Sequence, residues 1–263
     1  MAITSVDDLL AAQRQDAQLS KLVARTTVAN TWFSLFDIAG QPGAGTLAGT
    51  STTTGVVPTD ATGGCPGITD FAGGASGYLA RVDFVNTVSC YMRLYDLLWK
   101  GGAYAFNAST SGNTPTSYSS RIPGGNYAGT EIWLEQVTAG TGVQNVNVTY
   151  INEAGTTGQS TGTIATAANT LGRLHKLPLQ AGDKGVQGVT GVVGSVATAG
   201  TFNILVMREL WSGRVATANV ADVHDLFRTG MPQIFQDSAL FLAMRADSTS
   251  SGAPEVYFTV ASK

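Results

Sequence analysis

Val143-Gln144-Asn145-Val146-Asn147-Val148-Thr149-Tyr150-Ile151 sets Val146, Val148 and Tyr150 at alternate positions, with polar side chains between them. Successive side chains of an extended strand point to opposite faces, so this period of two predicts a strand with one buried face. Asn152-Glu153-Ala154-Gly155 reads as the following turn, and Gln159 to Thr166 as the return, with Ile164 on it. The same reading extends outward in both directions. Upstream lie Tyr78 to Val85, Ser89 to Trp99 and Glu131 to Val137; downstream lie Gly172 to Leu179, Val186 to Val193, Phe202 to Leu210, Ala239 to Arg245 and Glu255 to Ala261. About nine or ten short strands separated by Gly-rich turns predict a mainly β chain, an antiparallel β-sandwich or jelly-roll-like body. The alternation of strand and helix that marks a parallel nucleotide-binding sheet is absent.

Two helices are expected beside the strands. Thr4 or Ser5 can cap the first, Asp7 and Asp8 suit its positive end, and Leu9, Leu10, Ala17, Leu19, Leu22 and Val23 recur at roughly helical spacing. The second runs over 220–229, capped by Asn219, closed by Gly230 and Pro232, with Val223, Leu226 and Phe227 as its apolar face. Between the first helix and the strands, Gly40-Gln41-Pro42-Gly43-Ala44-Gly45 breaks regular structure, and Thr46 to Ser76 is Gly-, Thr- and Ala-rich. A stretch that long without core residues suits an extended arm over a neighbouring subunit, or a surface loop. The expected division is therefore 1–77 as helix and arm, and 78–263 as the β-sandwich body.

Composition narrows the function classes. Hydrophobic residues make up 43% of the 263 residues, enough for a full core, while charged residues make up only 13%. Ordinary domains carry about a quarter charged residues, so part of this surface is expected to be covered by a partner. A net charge of −3 and scattered basic residues argue against direct nucleic-acid binding. No run of about 18 apolar residues predicts a membrane span, and no leader sequence opens the chain, so a soluble protein is expected. Cys65 and Cys90 read as two free thiols of a reducing compartment, and with two separated histidines they give no metal spacing.

No motif for catalysis survives inspection. His175, between Leu174 and Lys176, and His224, between Val223 and Asp225, lack a recognised partner pattern and read as structural. Gly158-Gln159-Ser160-Thr161-Gly162 matches a nucleophile elbow in spelling, but a polar turn precedes Ser160 and a strand follows it. Glu131 and Glu135 share a strand face roughly 13 Å apart, too far for a glycosidase pair. The expectation is a non-enzymatic chain with no cofactor and no metal.

The run Thr31-Trp32-Phe33-Ser34-Leu35-Phe36-Asp37-Ile38-Ala39-Gly40-Gln41-Pro42-Gly43-Ala44-Gly45 resembles a segment of structural proteins of tailed bacteriophages. Tyr95-Asp96-Leu97-Leu98-Trp99, Glu131-Ile132-Trp133-Leu134-Glu135 and Leu177-Pro178-Leu179-Gln180-Ala181-Gly182-Asp183-Lys184-Gly185-Val186 extend the resemblance, in order, from about Thr31 to the C-terminus. It implies a virion protein of the capsid decoration (cement) kind, made in the host bacterial cytoplasm. Such a protein sits on the capsid surface, bound to the major capsid protein and to itself as a homo-oligomer, a trimer above other states. Leu9, Leu22, Trp32, Phe33 and Phe36 are the candidate partner-binding residues. The alternatives are a tail or baseplate component and a carbohydrate-binding β-sandwich module stacking sugars on Trp99, Trp133 or Trp211.

Overall fold

In a computed structural model the described residues are 3–68, 71, 75–111, 113–166, 170–194 and 199–263. Helix α1 is Val6–Ala11, followed by strands β1 (Gln13–Lys21), β2 (Trp32–Ser34), β3 (Gly40–Gln41), β4 (Ser51–Val56), β5 (Gly77–Val85) and β6 (Cys90–Ala105). Next come β7 (Ser109–Ser111), β8 (Thr130–Thr138), β9 (Gln144–Asn152), β10 (Gln159–Ser160), β11 (Ile164–Thr166), β12 (Leu174–Leu177) and β13 (Val186–Gly194). The chain closes with β14 (Thr201–Val215), β15 (Asp222–His224), helix α2 (Leu226–Thr229), β16 (Gln233–Ile234), β17 (Leu240–Ala246) and β18 (Glu255–Ser262). Strand pairing is antiparallel throughout the described ladders, in three sheets, so the expectation of a mainly β sandwich with two short helices holds.

The central sheet runs β12-β8-β14-β6-β17-β2, with β4 also on β6. Alternation along its strands gives it two apolar faces. One face packs against two smaller sheets set side by side. At one end Met92, Leu94, Leu242 and Met244 meet Val82 and Phe84 of β5 and Phe258 of β18, in the sheet β15-β5-β18-β1-β3. At the other end Ile132, Leu134, Ile204 and Val206 meet Val146, Val148 and Tyr150 of β9 and Val189 of β13, in the sheet β10-β9-β13-β7. The opposite face carries Tyr95, Leu97, Trp133, Leu205, Met207 and Phe241, and Phe36 and Cys65 lie over it. A face this apolar must be removed from water, and the Gly-rich segment does so with backbone rather than bulk.

That segment corrects the expected arm. Its described residues lie on this chain's own central sheet: Asn203 donates to the Leu47 carbonyl at 2.6 Å, Lys100 to Thr46 at 3.0 Å and Trp99 to Thr54 at 3.0 Å. Gly55 (φ +63°) lets the chain pass so close to Trp99 that a Cβ there would stand 2.1 Å from the indole. Residues 69, 70 and 72–74 of the expected arm lie outside the described residues.

The helical readings are corrected in extent. Ser5 does cap α1, accepting from the Asp8 N–H at 3.1 Å, but the helix ends at Ala11. Gln13–Lys21 is instead a strand filling the gap between β18 and β3, where strand pairing satisfies more backbone groups than an isolated helix. The expected 220–229 helix likewise divides: Asp222–His224 pairs with β5, and the four-residue α2 begins after a new cap, Asp225. Gly230 (φ +68°) ends it as expected.

Candidate functional site

Of the residues singled out for chemistry, Ser160, Glu131, Glu135 and His224 are held by structural partners, whereas His175 is buried without one for its Nε2. Ser160 donates its hydroxyl to Asn147 Oδ1 and accepts from the Gly162 N–H, each at 3.0 Å, with no base in the arrangement. Glu131 accepts from Trp133 Nε1 at 2.8 Å and pairs with Lys176 at 2.5 Å, while buried Glu135 accepts from Asn203 at 2.8 Å. His224 Nδ1 accepts from Trp211 Nε1 at 2.9 Å, which places its proton on Nε2, and burial together with Arg228 lowers its pKa. His175 is pushed down to about 4, first by burial and then by Arg173. Among the described residues no group of three or more His, Cys, Asp or Glu side chains could hold a metal ion. No described helix is long and apolar enough to cross a membrane.

The three tryptophans considered for sugar stacking, Trp99, Trp133 and Trp211, are all buried, which removes the exposed row that such a module needs. Phe33 (2% exposed) and Phe36 are likewise core side chains, the latter under the Lys100 ammonium, and offer a partner no surface. Trp32 is half-buried at the edge strand β2, edge-on to Trp133. Leu9 and Leu22 do not share a helix face. They stand at opposite ends of β1, whose nine residues span roughly 30 Å. Leu22 is 75% exposed.

Leu9 belongs instead to an unforeseen surface. It lines an open hollow of about 380 Å³ between α1 and α2, with Ala80, Leu226 and Thr259 and the charged Arg14, Asp16, Arg81 and Asp225. On the two helices and the segment before α2, Val6 (72% exposed), Leu10 (67%), Val220, Val223 and Phe227 (86%) are exposed apolar side chains. Both helices are tied to the body of the chain. Asp8 ion-pairs with Lys263 at the end of β18, which lowers the Asp8 pKa, while Thr229 Oγ1 donates to the Leu79 carbonyl of β5 at 3.0 Å. Asp225 accepts from the N–H groups of Phe227 and Arg228, both at 3.1 Å, fixing α2 with Phe227 outward. Chemically the two helices offer exposed apolar side chains beside a hollow of mixed charge. In sequence Val223 and Phe227 look like a core-facing stripe; the signal against that was the run of Asp222, Asp225 and Arg228 around them.

No known protein family matches the chain, and no curated protein does. Among solved structures it is similar to the VP2 subviral particle of infectious bursal disease virus, with 11% identity over 95% of this chain and 79% of that one and a TM-score of 0.17. The T=1 particles derived from infectious bursal virus give 12% identity over 95% and 76%, with a TM-score of 0.18. Scores this low mean that the chains do not superpose as one fold, and nothing about function follows from them.

Proposed function

We propose that this protein is a non-enzymatic structural component of a virus particle that acts by assembly, seated on the outer surface of a tailed-bacteriophage head to reinforce it. The observation that carries this reading is the exposed apolar group on the two short helices, above all Phe227. A large aromatic held in water by a capped helix is explained by a surface that covers it. The sequence resemblance to tailed-phage structural proteins supplies the partners: the major capsid protein and further copies of this chain, with a trimer as the expected unit. A specific interface buries on the order of 1,600 Å², and repetition over a shell multiplies modest contacts by avidity.

The test joins two measurements. Sedimentation velocity of the purified chain, alone and with expanded phage heads, reads self-association and head binding. Cryo-electron microscopy of the particles then locates the density. The expected result is an oligomer that coats heads, and loss of coating for the double variant Leu10→Ser with Phe227→Ser at an unchanged melting temperature. A chain that stays monomeric and leaves heads bare, or density confined to the tail, overturns the decoration role.

A further inference from the structure

The register of the central sheet sets four residues in one line across neighbouring strands. Arg214 of β14 faces Tyr91 of β6, Tyr91 faces Arg245 of β17, and Arg245 faces Trp32 of β2. Directly opposed residues share a face and touch, and here cation and aromatic alternate. The Arg245 guanidinium carbon lies 4.4 Å from the Tyr91 ring centre and 5.7 Å from that of Trp32; Arg214 lies 4.9 Å from Tyr91. Arg93, two residues along β6, stacks on the Trp32 ring at 4.8 Å. Arg228, Asp222 and His224 line the same open hollow as these residues, of about 460 Å³. Four of the ten arginines in the chain thus line one depression.

Their charges are not balanced locally. Glu209 pairs with Arg93 at 3.3 Å and Asp222 with Arg228 at 3.5 Å. Arg214 and Arg245 have no hydrogen bond or ion pair among the described residues, and the buried Nε of Arg245 finds no acceptor. The hollow therefore holds two uncompensated positive charges in a chain whose net charge is −3. Both guanidinium carbons lie within 5 Å of the Tyr91 ring centre, so they stand less than about 10 Å apart. The guanidinium N–H groups of both have no acceptor among the described residues, and a guanidinium fork grips planar or tetrahedral oxyanions with paired hydrogen bonds. A nucleic-acid strand would need a longer basic track than this single line provides.

We propose that this hollow is a binding site for a compact ligand bearing two oxyanion groups, one gripped by Arg214 and the other by Arg245, with Arg93 and Trp32 forming its wall. The site stands on its own residues and does not depend on the assembly reading. The oxyanions can be phosphates or carboxylates, and the two are separated by experiment. The folded full-length chain is titrated with pyrophosphate and, separately, with citrate at low ionic strength, by calorimetry and by tryptophan fluorescence. Trp32 is the half-buried indole at the hollow, whereas Trp99, Trp133 and Trp211 are in the core.

The expected result is saturable binding of at least one probe and a fluorescence change that Trp32→Phe abolishes. Arg214→Gln and Arg245→Gln should each weaken binding about tenfold or more. Arg81→Gln, whose native side chain is paired with Asp83 elsewhere, should bind as the unaltered chain does. Tighter pyrophosphate marks a phosphate-bearing ligand, and tighter citrate a carboxylate-bearing one; both support the site. Arg214 is exposed, so its variant tests the site even where replacement of the more buried Arg245 disturbs folding. Saturation by neither probe, or undiminished affinity in folded Arg214→Gln, overturns the proposal.

Discussion

Asp96 sits in the interior with Arg121 and Arg208 each 3.5 Å away and the Ser238 hydroxyl donating to it at 2.9 Å. Burial pushes its pKa up against the pull of both arginines. Arg121 also donates to the carbonyls of Pro58, Leu97 and Asp237 at 2.7 to 2.8 Å, tying the covering segment, β6 and the β16–β17 connection to one side chain. Removing one member of a buried charge group strands the others, at about 3–5 kcal/mol. Arg121→Met is therefore expected to lower the unfolding free energy by that order, read from equilibrium urea curves as a lower midpoint. His175 gives a pH test. Its pKa is about 4 in the fold against 6.5 unfolded, so the unfolded chain binds the extra proton between those values. Its neutral form costs the fold nothing above pH 6.5, and stability falls as pH drops from 6.5 towards 4. A shift of this size amounts to ~3 kcal/mol at most, less for the solvent the ring still meets. His175→Asn should flatten that part of the stability–pH curve. Sequence placed His175 on a strand as a structural residue; burial without an acceptor for Nε2 depends on what folds over it.

At the level of elements, alternation made β5, β9, β13 and β18 legible to within a residue or two, because each has a buried face and a solvent-facing one. β1 was hidden for the opposite reason: Gln13, Arg14, Gln15, Asp16 and Gln18 give it no apolar stripe, and the partner that makes it a strand lies at the other end of the chain. Lys21, a polar flank in a helical reading, is buried and donates to the Ile38 carbonyl at 3.0 Å. The covering segment was legible as unusual but not as to where it lies, since Gly and Thr specify backbone approach without naming the surface approached. Gly55→Ala tests that approach. The added methyl meets the Trp99 indole in a backbone conformation that disfavours side chains, and overpacking of this kind costs about 1–3 kcal/mol. A drop in thermal midpoint accompanied by a change in Trp99 fluorescence is the expected outcome.

Over the whole molecule, the candidate surfaces were the least legible part of the sequence. The α1–α2 surface joins Leu9 to Leu226, and the arginine–aromatic line joins residues 32, 91, 214 and 245, pairs that only the register of distant strands brings together. The fold also sets the behaviour of its thiols. Cys65 and Cys90 are buried and free in different cores, and burial pushes them up to about 12 and about 11. Neither should react with a thiol reagent at pH 8 in the folded chain, and both should react together as urea unfolds it. Labelling of one thiol well before the other would show that the cores open separately.

The two long strands, β6 with 16 residues and β14 with 15, run side by side through both ends of the central sheet and so belong to both flanking cores. Mechanically they act as a pair of splints. A force that shears one half of the molecule against the other must break the β6–β14 ladder many bonds at a time, rather than peel it open one bond at a time. A molecule built this way resists stretching along the line of these two strands more than peeling across it.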